Sequence, residues 1–123
     1  MNRQEVFNRV YQHLLAQNAY SLGADDGGAV CAYRGAGGLQ CAVGCLIKDE
    51  HYSWELEGQG AWHPDVLRAL DLSLGCSITS ADCRMLETLQ SMHDNDPVDI
   101  WPASLARIAQ LRGLTVPEIT NAA

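Results

Sequence analysis

Five cysteines and four histidines stand among the 123 residues, and any thiol, metal or acid–base chemistry must draw on them. Cys31, Cys41, Cys45 and His51 offer the sulfur and nitrogen donors of a tetrahedral zinc site. Their spacing speaks against one. No C-x-x-C pair occurs, and if residues 41–45 form a straight strand, four steps of about 3.3 Å part Cys41 from Cys45 by roughly 13 Å. Two sulfurs each about 2.3 Å from one ion cannot lie so far apart. Zinc therefore requires Gly44 to break the strand, and a hairpin register that places Cys31 on the face of Cys41 and Cys45. No cofactor is expected.

Cys45 and His93 are the candidates for catalysis. A bend at 44–45 followed by a helix would set the Cys45 thiol near a helix N-terminus, where its pKa falls. His51, His63 or His93 would then serve as base, with Asp94 or Asp96 orienting it. Against this, Cys45 alternates with Val43 and Ile47, the pattern of a core thiol behaving as a small hydrophobe. His93 stands at the end of an expected helix, where an imidazole complements the helix dipole, and Asp94, Asn95 and Asp96 are ordinary turn residues. The pairs Glu55/Glu57 and Asp49/Glu50 read as solvated neighbours. Residues 35–38 lack the lysine and the following helix of a phosphate-binding loop.

Aromatic residues supply a different kind of chemistry. Tyr52, Trp54 and Trp62 cluster around a glycine-bearing loop together with Glu55 and Glu57. Rings with polar handles beside flexible glycines have the composition of a contact surface. The competing reading has both tryptophans covering the core.

Composition narrows the partners. The formal net charge is −7 and the isoelectric point about 4.8. Affinity for phosphate backbones comes from Lys and Arg displacing counterions, so direct nucleic-acid binding is not expected. A chain this acidic could instead mimic nucleic acid at a basic site on a partner. No run of about 18 apolar residues appears, and the N-terminus opens without an apolar signal region. The expectation is a cytoplasmic protein, off the membrane, with its cysteines reduced.

The elements follow from periodicity. Asn2 and Glu5 have capping-box spacing, and Val6, Phe7, Val10, Tyr11, Leu14 and Leu15 recur at helical spacing, predicting a helix over 3–17. Residues 30–47 read as a β-hairpin: two runs flank the glycine turn 35–38, and the second alternates from Leu39 to Ile47. A helical turn follows over 49–52. His63, Pro64 and Asp65 start a helix closed by Gly75. Thr79 or Ser80 caps a helix over about 80–93, and Trp101–Pro102 begins another that Gly113 ends. Residues 115–123 form a tail. The expected fold class is α+β, a single domain with four to five helices packed on a small antiparallel sheet. The free edges of such a hairpin would allow a homodimer.

The stretch YRGAGGLQCAVGCLIKDEHYSWELEG, residues 33–58, resembles a motif of small uncharacterised proteins from phages and prophage-bearing bacteria. Those proteins run Tyr-Arg, a glycine turn, Cys-Ala-(Ile/Val)-Gly-Cys-Leu-Ile, an acidic turn with a tyrosine, and Glu-Gly. The N-terminal helix and LQSMHD at 89–94 fit the same pattern; Lys48 departs from it, standing where proline is expected. The resemblance implies a short accessory gene product in the bacterial cytosol, acting by contact with a host, defence or phage protein. The leading expectation is therefore a non-enzymatic protein binder whose surface includes Tyr52, Trp54, Glu55, Glu57 and Trp62. The alternative is a small cysteine-dependent enzyme or zinc module built on Cys31, Cys41, Cys45 and a histidine.

Overall fold

The computed structural model describes residues 2–22 and 32–117. Four α-helices carry the fold: α1 (Arg3–Gln17), α2 (Pro64–Leu74), α3 (Ser80–Asn95) and α4 (Trp101–Leu111). Their ends obey local chemistry. Asn2 caps α1, its side chain accepting the Glu5 N–H at 2.8 Å while Glu5 reaches back to the Asn2 N–H. Thr79 and Asp82 form the same reciprocal box on α3. Pro64 and Pro102 open α2 and α4, where a missing N–H goes unnoticed. Gly75 ends α2 at φ 70°, a left-handed conformation that glycine adopts without strain.

The expected hairpin over 30–47 is not there in its described part, 32–47, and with it goes the α+β class. Among the described residues there is no β-strand, only an isolated antiparallel bridge between Arg34 and Gln40. The fold is helical. The 3₁₀ turn Ala36–Gly38 closes that bridge, and the second run coils instead of extending: the Cys45 N–H bonds the Cys41 carbonyl at 3.0 Å, and a 3₁₀ turn covers Gly44–Leu46. The physical reason lies in burial. An alternating strand needs one wet face, but Ala42 and Leu46 are as buried as Cys41, Val43 and Ile47. A segment apolar all round is better served by coiling into the centre of the molecule. It packs there against α1 and α2, while α4 packs on both α1 and α3.

One continuous core results. Phe7, Val10 and Leu14 from α1 meet Val43 and Leu46, with Leu70, Met85, Leu86, Leu89, Trp101 and Leu105 completing it. Arg3 on α1 clamps Asp82 on α3 at 2.8 Å. Burial alone would raise the Asp82 pKa, but bonds from Arg3 and Thr79 outweigh it and hold the carboxyl below its ordinary value. The expected tail begins tied down: Gln4 accepts from the Thr115 N–H at 3.0 Å and donates to its carbonyl at 2.8 Å. Residues 118–123 lie outside the described residues. Among the described residues, no helix is long and apolar enough to cross a membrane.

Candidate functional site

The motif stretch is a knot of backbone and charge. Glu57 is its hub. Its carboxylate accepts the N–H groups of Tyr33 at 2.8 Å and Arg34 at 3.0 Å, and the Tyr52 hydroxyl at 2.5 Å. The Arg34 guanidinium lies 4.9 Å from the Tyr52 ring centroid, donating to the Asp49 carboxylate and the Ile47 carbonyl. The Tyr33 hydroxyl donates to the Gln59 carbonyl. Burial, with Glu57 close by, pushes the Tyr52 phenol up to about 12, and burial raises Tyr33 as well. Residues 33–34 and 47–59, distant in sequence, are thus bound to one another.

The five surface candidates divide on this knot. Tyr52 and Glu57 turn inward as its struts. Trp54 stands 77% exposed on the 3₁₀ turn Trp54–Leu56, with Glu55 exposed beside it. The Ser53 side chain caps that turn, and Leu56 buries beneath it. Trp62 is 45% exposed and its indole N–H donates to Glu87 on α3. The ring exposed to a partner and the groups that tie the segment carrying it are different residues.

Cys41 and Cys45 are held within the core segment. Cys41 is fully buried and its sulfur accepts the Gly44 N–H at 3.3 Å; the Cys45 thiol donates to the Ala42 carbonyl at 3.1 Å. Burial pushes the Cys45 thiol up to about 12 and raises Cys41 too. That is the reverse of an activated nucleophile. Cys45 sits within a 3₁₀ turn of three residues rather than at the start of an α-helix. The chain does bend at Gly44, the break a zinc site would need, and brings the Cys45 N–H to the Cys41 carbonyl. Yet no group of three His, Cys, Asp or Glu side chains among the described residues could hold a metal. His51 lies on the separate turn Asp49–His51, and Cys31 lies outside the described residues.

His93 is spoken for at both nitrogens. Its ring is fully buried, with ring centroids of Trp101 at 5.4 Å and Tyr20 at 5.8 Å. Nε2 accepts the Ser21 N–H at 3.1 Å, and Nδ1 faces the Asp94 carboxylate at 2.7 Å. Because a backbone N–H can only donate, the lone pair sits on Nε2 and the proton on Nδ1. The Ser21 hydroxyl donates to the Ala32 carbonyl at 2.7 Å, so the resemblance to a serine–histidine–aspartate relay ends at residue types. His93 docks the segment after α1 onto α3.

Comparison with known proteins finds no matching family model, no matching curated protein and no matching solved structure. The site is therefore read from its own geometry.

Three of the eight basic residues, Arg84, Arg107 and Arg112, line a groove of about 710 Å³ between α3 and α4. Arg84 lies on α3, Arg107 on α4 and Arg112 just beyond its end, and only the packing of the two helices brings them together.

Proposed function

We propose that this chain is a non-enzymatic accessory protein of the phage and prophage type, acting in the bacterial cytoplasm by binding a host or phage protein through a surface centred on Trp54. The observation that carries this reading is a tryptophan 77% exposed on a turn whose flanks are cross-linked by Glu57, Arg34 and Tyr52. A large apolar ring held in water gains by being covered, and a turn whose flanks are already tied loses little backbone entropy when it is. The resemblance of residues 33–58 to the phage-protein motif supports the cellular setting.

The test is the double variant Trp54→Ala/Trp62→Ala, compared with wild type in crosslinking and pulldown from host cells. The expected result is an unchanged circular dichroism spectrum with loss of the protein bands that wild type captures. Undiminished capture by the folded double variant would overturn the proposal. Should the double variant unfold, Trp54→Ala alone decides, since that ring is mostly outside the core.

A further inference from the structure

We propose that the groove between α3 and α4 receives an acidic, amphipathic segment of a partner protein, a docking site separate from the Trp54 surface. The groove has an apolar floor of Met92 and Ile108, extended at its rim by Leu111, which is 73% exposed. Arg84 and Arg112 stand on one part of its border and Arg107 on α4. Among the described residues, the guanidinium groups of Arg84 and Arg107 have no hydrogen-bond or ion-pair partner. Arg112 is positioned in advance, its Nη2 donating to the Thr88 hydroxyl at 2.9 Å across the two helices.

Charge chooses the occupant. Two acids also line the groove, but both are engaged by neutral donors: Glu87 accepts the Trp62 indole N–H, and Asp96 accepts the Ser104 hydroxyl at 2.7 Å. On a chain of net charge −7, three arginines against these two carboxylates make the groove a net positive patch, which favours an acidic partner. Arginine presents a planar fork that matches carboxylate geometry. A nucleic-acid backbone would use the arginines but not the apolar floor, and the chain's net charge repels it. The lining residues of α3 run from Arg84 to Asn95, roughly 16 Å at about 1.5 Å per residue, or three helical turns. That length suits a short helical segment with leucine-like residues facing the floor and Asp or Glu on its flanks.

Selection from a random 12-residue peptide library displayed on phage, against the full chain, tests this, with Arg84→Glu/Arg107→Glu as counter-target. Both side chains are exposed, so the variant should keep its fold, checked by circular dichroism. Enriched peptides are expected to combine acidic with apolar residues at helical spacing. Synthetic copies should bind wild type at least about tenfold more tightly than the variant and weaken with added salt. Peptides lacking acidic residues, or binding both proteins equally, would overturn the proposal, as would failure to enrich any. Tighter binding of a 20-nucleotide oligo-dT by wild type than of those peptides would reassign the groove to nucleic acid. A wild-type dimer that becomes monomeric in the variant would reassign it to contact between copies. Repeating the binding with Trp54→Ala, expected to leave it unchanged, separates this groove from the other surface.

Discussion

Gly44 lies so close to the backbone of Tyr33 that a Cβ added to it would stand 2.1 Å from the Tyr33 carbonyl oxygen. No rotation of a flexible side chain relieves that clash, because the obstacle is main chain. Gly44→Ala should therefore force apart the coiled segment 41–47 and the Arg34 loop, destabilising the protein by about 3 kcal/mol or more. Gly60→Ala is the matched control: its added Cβ meets nothing within 4 Å. It should shift stability by no more than about 0.5 kcal/mol. Urea unfolding of the two variants is the measurement. Equal midpoints would show that the close approach is not structural.

The contrast between these glycines marks where sequence reading stops. Helix ends were legible because their chemistry is local: Asn2 with Glu5, Thr79 with Asp82, Pro64 and Gly75 each act within a few residues. Residues 41–47 differ from the expected strand because Cys41, Val43 and Ile47 imitate a strand face, while burial of Ala42 and Leu46 shows only in three dimensions. The bonds that decide the segment's shape span long separations, such as Glu57 to the Tyr33 N–H. Which of the five candidates are exposed was legible only in part, for the same reason. An exposed Trp54 agrees with a contact-type composition, but nothing local reveals that Glu57 of the same cluster is a strut. The arginine groove belongs to the packing of α3 on α4, which no single helix encodes.

Glu57→Gln separates strut from surface. A carboxylate offers two oxygens, and here Oε1 takes the Tyr33 N–H while Oε2 takes the Arg34 N–H and the Tyr52 hydroxyl. An amide retains one oxygen and turns a donor toward donors. Loss of charge-assisted bonds with half-buried groups left unpaired should cost about 2 kcal/mol. Trp54→Ala, in contrast, should stay within about 0.5 kcal/mol of wild type. Thermal unfolding in which the tryptophan variant lost more stability than Glu57→Gln would place Trp54 in the core.

Thiol labelling discriminates the chemical alternative. With its thiol pushed up to about 12, Cys45 holds on the order of one thiolate per 10⁵ molecules at neutral pH. Cys41 is shielded further by complete burial. Iodoacetamide followed by peptide mapping should find both sites unreacted in native protein over times that label a free thiol, and fully reacted in denaturant. Fast modification of Cys45 in the native state would revive the nucleophile.

Alkaline titration reports on the knot itself. Burial, reinforced by the Tyr52 hydroxyl donating to Glu57 and by the carboxylate a phenolate would face, raises the Tyr52 pKa from 10.0 to about 12. Tyr33 is raised by burial in the same direction. A folded-state pKa above the unfolded value means that the folded protein holds the proton more tightly. The stabilisation is complete below pH 10 and is lost as pH rises toward 12. Wild type should accordingly lose stability steeply between those values, and Tyr52→Phe, less stable at pH 8 for want of the bond to Glu57, should lose less. Absorbance at the phenolate band should show one late-titrating tyrosine fewer in the variant. Identical pH-dependence of the two proteins would mean that folding does not tighten the hold of Tyr52 on its proton.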